Sequence, residues 1–278
     1  MMFSTVKGLI GKVCPSFMLK PAMTITRKGR AIRAAIAMKL SPQKMEWFCP
    51  CCNKRFSGFV KADYIDSQNY ELRRYESTRQ DVLCPVCHAL PRHRILASWC
   101  DSHKDLFQNA AILYFAPEYS MTQWMKRNGV KYTSVDLYKE ADLKLDIQNT
   151  GLPEQSYDII IANHVLEHVD DFRRALDEMN RILRSGGSFI CSFPMDPKIE
   201  LLDEDPIVIT PEERMRRFGQ NDHKRVFGMK ADQFLNEAGF MVEKIDGKDY
   251  PEEILPIVGP ADYDMNILFC CRKQYAGH

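Results

Sequence analysis

No apolar run in this 278-residue chain approaches 18 residues, so no stretch is long enough to cross a bilayer as a helix. Charge of neither sign prevails: 38 Lys+Arg stand against 37 Asp+Glu. Collagen-like repeats and a charged solvating tail are missing. With 45% hydrophobic and 27% charged residues the composition is globular, which excludes bulk disorder. The N-terminus lacks the continuous h-region and cleavage site of a secretory signal, and the expectation is a cytoplasmic protein. One local absence says more. Residues 1–45 contain no Asp or Glu but nine Lys/Arg, which leaves the rest of the chain with 29 basic against 37 acidic residues. This basic arm, broken by Pro15, Pro21 and Pro42, includes a short helix-like amphipathic pattern over 30–39. It suits peripheral contact with an anionic membrane surface, an anionic substrate, or simply a solvated basic face.

Cysteine is the residue in excess. Of ten, Cys49, Cys51, Cys52, Cys84 and Cys87 crowd the region after the arm, while Cys14, Cys100, Cys191, Cys270 and Cys271 are scattered, several within apolar runs that read as strands. Cys49-Pro50-Cys51-Cys52 and Cys84-Pro85-Val86-Cys87 are two Cys-Pro-x-Cys knuckles separated by 31 residues. Each tight turn brings two thiolates together, and two turns supply four soft ligands for a closed, tetrahedral, structural Zn²⁺ site. The predicted ligands are Cys49, Cys52, Cys84 and Cys87, with Cys51 able to substitute for a neighbour and His88 a second choice. The module, residues 46–104, lacks the compact basic and aromatic face expected of an RNA-binding ribbon. Its Arg92-His93-Arg94 run meets an anionic ligand group or caps the module.

From about residue 105, strands at 111–116, 131–136, 143–147, 157–162, 188–193, 241–245 and 266–271 alternate with helices at 119–127, 170–184 and 230–238. Asp170 or Asp171 N-caps the second of these helices, and Gly186–Gly187 ends it. Helices between strands imply an α/β fold with a Rossmann-like, doubly wound, mostly parallel sheet over 105–278, binding ligands at the carboxyl ends of its strands. Residues 194–228 form a polar insertion after the fifth strand, placed to act as a substrate lid or as a solvated loop.

The strand ends hold the chemistry. Asp136, ending the second strand, is placed to accept hydrogen bonds from a ribose diol. Asp146, after the third, can accept from an adenine amino group. The fourth strand runs into Asn163-His164-Val165-Leu166-Glu167-His168, polar groups where a reacting centre would sit.

In its stretch 157–187 the chain resembles the region after the fourth strand of class I S-adenosyl-L-methionine-dependent methyltransferases, and in particular the methyltransferase type 11 branch. More narrowly, it is similar to a bacterial subgroup with a Cys-Pro-x-Cys module in front, on Arg92-His93-Arg94, Phe115-Ala116-Pro117-Glu118, Asn163 to His168, and Phe218-Gly219-Gln220-Asn221-Asp222-His223. The resemblance covers residues 46 to about 245. It implies a cofactor site made by Ala116, Glu118, Asp136, Asp146, Asn163 and His164, with Glu118 on the cofactor's amino group. The first-strand loop is glycine-rich in that superfamily and contains no glycine here, Phe115 to Ser120. The implied reaction is in-line displacement at the sulfonium methyl, with His164 or His223 as general base and Asp222 orienting His223. The Asn-Pro-Pro-Tyr pattern of adenine or glutamine amino-methyltransferases is lacking. The expected acceptor is a small molecule, a saccharide or a lipid-linked intermediate, and the acidic balance of residues 46–278 argues against nucleic acid. The alternatives are a zinc-ribbon module that binds nucleic acid or protein beside a non-catalytic methyltransferase-like scaffold, or an RNA methyltransferase. Affinity for the cofactor and salt-sensitive RNA binding separate these.

Overall fold

The computed structural model describes residues 47–60, 82–255 and 266–274. The arm and its helix-like pattern lie outside the described residues. Within them, no helix is long and apolar enough to cross a membrane.

Two short strands, β1 (Trp47–Cys49) and β2 (Lys54–Phe56), pair antiparallel around the first knuckle. Helix α1 (Pro91–Ser102) starts directly after the second knuckle, with Pro91 at its first position, where no intrahelical donor is needed. Then follow β3 (Ile112–Phe115), α2 (Tyr119–Arg127), β4 (Thr133–Val135), β5 (Tyr157–Asn163), α3 (Phe172–Ile182) and β6 (Leu183–Ser192). The insertion contributes β7 (Leu202–Glu204), α4 (Pro211–Phe218) and β8 (Arg225–Phe227), and α5 (Asp232–Glu237), β9 (Phe240–Asp246) and β10 (Ile267–Lys273) complete the domain.

The main sheet has the order β4-β3-β5-β6-β10-β9. β3 runs parallel to β4 and β5, and β5 to β6, whereas β10 is antiparallel to both of its neighbours. A single reversed strand makes the sheet mostly parallel, as predicted. Two details differ from the sequence reading. The expected third strand at 143–147 reduces to isolated bridges, Leu143 to Val135 and Asp146 to Asn149. Gly186–Gly187 do not end α3: the helix stops at Ile182, and both glycines lie within β6, where the register with β5 jumps between Tyr157 and Ile159. The Lys273 ammonium donates to the carbonyls of Asn180 and Leu183 (2.6 and 2.8 Å) and so takes the part expected of a glycine cap.

Alternation along each strand sorts two cores. Ile112, Tyr114, Ile159, Ile161, Ile190, Leu268 and Cys270 face α1, α2 and the cysteine knuckles. Leu113, Phe115, Ile160, Ala162, Phe189, Cys191, Phe269 and Cys271 face α3 and α5. The first core takes in Cys49, Cys51, Phe56, Phe59, Cys84 and Cys87 without a break, so residues 47–60 and 82–102 pack as a layer of the main fold.

Candidate functional site

The strand order reverses direction at β3: one connection leads to β4 on one side and the next to β5 on the other. α2 and α3 leave on opposite faces, so a crevice opens at the carboxyl ends of β3, β4 and β5, the usual ligand position in an open α/β sheet.

Ala116 leaves β3 with φ 45°, the left-handed backbone that glycine usually supplies, and its N–H donates to Val135 O at 2.7 Å. The loop keeps its shape without glycine by placing the smallest chiral residue there. Glu118 follows, N-terminal to α2. Its Oε1 accepts from His93 Nε2 at 2.6 Å and lies 3.3 Å from Arg92 Nη2. Leu90 N–H donates to His93 Nδ1, so the proton of this imidazole sits on Nε2 and points at Glu118, while burial pushes the His93 pKa down and keeps the ring neutral. Burial also disfavours the Glu118 anion, but His93 and Arg92 outweigh it and hold the carboxyl at about 2. The second oxygen, Oε2, is buried with no hydrogen-bond partner. The Arg-His-Arg run therefore serves an anion of this same chain: two of its residues grip Glu118, and the third, Arg94, donates to the carbonyls of Val82, Ala89 and Ile254. This role of Arg92 and His93 is what the sequence reading missed; the run itself was visible, its internal partner was not.

Asp136 Oδ1 accepts from the N–H groups of Tyr138 and Lys139, both at 2.8 Å, so one oxygen shapes the loop after β4 and the other is outside those bonds. Asp146 turns inward instead: Gln148 donates to it from N–H and from Nε2, using both carboxylate oxygens, while Gln148 Oε1 accepts from Asp171 N–H. Asp146 thus sits in a turn beside the start of α3. Asp171 is the N-cap of that helix, accepting from Arg174 N–H at 3.0 Å. Asn163, buried at the end of β5, accepts from Ser192 Oγ at 3.1 Å.

His164 turns out of β5 with φ 51°, its N–H bonded to Ser192 O. Its Nδ1 lies 3.1 Å from Glu167 Oε1, and His168 Nε2 lies 3.8 Å from the same atom. The Glu167 side chain is 0% exposed, and neither of its oxygens has an aligned hydrogen-bond donor. Burial alone would protonate it, but His164, then His168 and His223, hold the carboxyl at about 2. The insertion brings His223 here: Lys224 N–H donates to Glu167 O, and the Arg225 guanidinium donates to the carbonyls of Leu166, Val169 and Asp170. Asp222 pairs with His168 (Oδ2 to Nδ1, 3.4 Å), while His223 Nδ1 lies 3.1 Å from Phe218 O. Asp222 thus meets His168, a contact that the sequence reading did not expect beside the one to His223. Much of the insertion's other charge is spent internally. Arg217 binds Asp203 and Asp205, Arg225 binds Glu204, and Glu213 closes a capping box with Thr210.

The four predicted thiols converge. Cys49 Sγ lies 3.6 Å from Cys87 Sγ and Cys52 Sγ 3.8 Å from Cys84 Sγ, and all four ligand atoms fall within 4.8 Å of one another. Tetrahedral Zn–S bonds of about 2.3 Å imply S···S edges of roughly 3.8 Å. Cys51 points elsewhere, to His93 O at 3.3 Å, and is not one of the four; nor is His88.

Residues 118–191 match the model of a family described as "Methyltransferase domain". The match starts at Glu118 and takes in Asp136, Asp146 and Asn163 to His168, so the stretch similar to that family includes the residues at the crevice. Over 76 residues the chain is 29% identical to the PKS-NRPS hybrid synthetase cheA of Chaetomium globosum, covering 27% of this chain and 2% of that protein. Over 62 residues it is 31% identical to the reducing polyketide synthase Preu2 of Preussia isomera, covering 22% and 3%. The matched stretches thus span a small fraction of these curated relatives. Among solved structures, 66% of the chain aligns with 79% of the Burkholderia thailandensis 1,6-didemethyltoxoflavin-N1-methyltransferase, which was solved with S-adenosylhomocysteine bound, at 16% identity and a TM-score of 0.48.

Proposed function

We propose that this methyltransferase domain binds S-adenosylmethionine in the crevice beyond β3, β4 and β5 and transfers its methyl group to a small-molecule, saccharide or lipid-linked acceptor. The observation that carries the reading is Glu118 Oε2, a buried acceptor with no hydrogen-bond partner on an ionised carboxylate in the loop after β3, in the segment that matches the family. Arg92 and His93 both sit on Oε1, so Oε2 is the oxygen still to be satisfied, and a donor such as a cationic amino group would do so. The Asp136 oxygen outside the Tyr138 and Lys139 bonds would accept from the ribose diol. Asp146, held by Gln148, would line the base end rather than bond it directly. Bound there, the cofactor supplies an electrophilic methyl on a sulfonium sulfur. The chain itself provides alignment and, for a hydroxyl acceptor, proton removal. His164 fits the role of proton acceptor, because Glu167 beside Nδ1 favours the tautomer with its proton there and leaves Nε2 basic. His223, almost fully buried, is the less accessible of the two candidate bases. In the same reading, Cys49, Cys52, Cys84 and Cys87 hold a structural Zn²⁺.

Calorimetric titration with S-adenosylhomocysteine tests the cofactor reading. Micromolar binding by the wild type, weakened at least about tenfold in Glu118→Gln and in Asp136→Asn, is expected, a loss of about 1.4 kcal/mol or more. A folded wild type that binds none would overturn the reading and favour a zinc-dependent binding module on a scaffold.

A further inference from the structure

We propose that Glu167, His168 and His223 form a second metal site, which takes a divalent transition ion through one carboxylate and two imidazoles beside His164. The three ligand atoms lie within 4.8 Å of one another, and no thiol takes part. Three features make this a built site. Glu167 is fully buried, and apart from His164 Nδ1, 3.1 Å from Oε1 but not aligned as a hydrogen bond, its oxygens have no donor, so a bound cation would complete the coordination of this anion. Both histidines are held from behind by their Nδ1 atoms, His168 by Asp222 Oδ2 at 3.4 Å and His223 by Phe218 O at 3.1 Å. An Nδ1–H facing a carboxylate or a carbonyl would put the lone pair on Nε2, the outer-shell arrangement typical of metal-binding histidines. The third feature is rigidity. The backbone that carries Glu167 and His168 is fastened to the backbone that carries His223 by Lys224 N–H on Glu167 O and by the buried Arg225 on three further carbonyls.

Two imidazoles and a carboxylate suit Zn²⁺, Fe²⁺, Mn²⁺, Co²⁺ or Ni²⁺, whereas Ca²⁺ and Mg²⁺ prefer all-oxygen shells. Three protein ligands leave coordination positions open, which distinguishes this site from the closed thiolate cluster. Resting on the methyl-transfer reading, those open positions would take an oxygen of the acceptor next to His164, which narrows the acceptor to one that presents a hydroxyl or carboxylate to the metal.

The test uses the full chain, stripped of metal and titrated with Co²⁺, with bound metal counted per chain. The expected wild-type result is two equivalents: one with intense thiolate-to-metal charge-transfer absorption, one with only weak d–d bands. His168→Gln and His223→Gln should each lose the weak-band equivalent and keep the charge-transfer band, which shows that the variant is folded. Asp222→Asn, acting through His168, should weaken that equivalent about tenfold. Uptake of a single, thiolate-bound equivalent by the wild type would overturn the proposal, as would retention of the second equivalent in both histidine variants. S-adenosylhomocysteine calorimetry on the same samples separates the two readings. A chain that holds both metals but binds no S-adenosylhomocysteine supports the metal site while refuting the methyl-transfer reading.

Discussion

Ala116 and Glu178 show how single side chains carry this fold's local requirements. A chiral residue at φ 45° costs about 1–2 kcal/mol against the right-handed backbone, while glycine loses a similar amount through its freer unfolded chain. Ala116→Gly should therefore change stability in urea by no more than about 1 kcal/mol. Ala116→Val, β-branched in a left-handed conformation, should cost about 2 kcal/mol or more. Glu178 accepts from Thr150 N–H and Oγ and pairs with Arg181, and that ion pair first, with the Thr150 bonds, lowers its carboxyl from 4.5 to about 2. The folded value lies below the unfolded one, so its contribution is complete above about pH 4.5 and disappears as the pH falls towards 2. Urea melts at pH 5 and pH 3 should show a smaller acid-induced loss in Glu178→Gln than in the wild type; an equal loss in both would refute the assignment.

At the scale of elements, the insertion is a strand–helix–strand unit whose attachment matters more than its surface charge. β7 and β8 pair, α4 ends on Gly219 at φ 83°, and Arg225, 1% exposed, joins the unit to the turn after β5. Arg225→Met would leave the buried Leu166 carbonyl and the partly buried Val169 and Asp170 carbonyls without this donor, and a destabilisation of about 3 kcal/mol is expected by chemical denaturation. Because the same contacts align His223 with Glu167, the proposed methyl transfer should also fall in this variant beyond what its unfolded fraction explains. Wild-type turnover per folded molecule would contradict that.

For the whole molecule, the shared core is decisive. Cys49, Cys51, Cys84 and Cys87 pack in one cluster with Trp99, Trp124 and the sheet residues Ile112 and Ile161, and the buried Arg94 lies over Phe59 of that cluster. Burial lowers the Arg94 pKa to about 10 against the pull of the neighbouring cysteines, which leaves the guanidinium charged at neutral pH. If Zn²⁺ holds the thiols, its removal should weaken the entire fold. A thiol-competitive chelator should lower the midpoint of one cooperative transition, with tryptophan fluorescence and far-UV circular dichroism changing together. Two separated transitions would mean that the knuckles fold alone.

The sequence by itself determined the alternating strand and helix pattern, the four thiols and the strand-end polar residues, because each is a local signal: periodicity, knuckle spacing, position after an apolar run. Asn163 to His168 and the Asp222-His223 pair were both visible in it, some fifty residues apart. What only the tertiary structure decided is who meets whom. Arg92 and His93 are spent on Glu118, Asp222 meets His168, and the strand expected at 143–147 shrinks to isolated bridges. These outcomes depend on contacts between residues up to dozens of positions apart, where burial sets the cost of leaving a polar group unpaired, and that cost does not register in any local pattern.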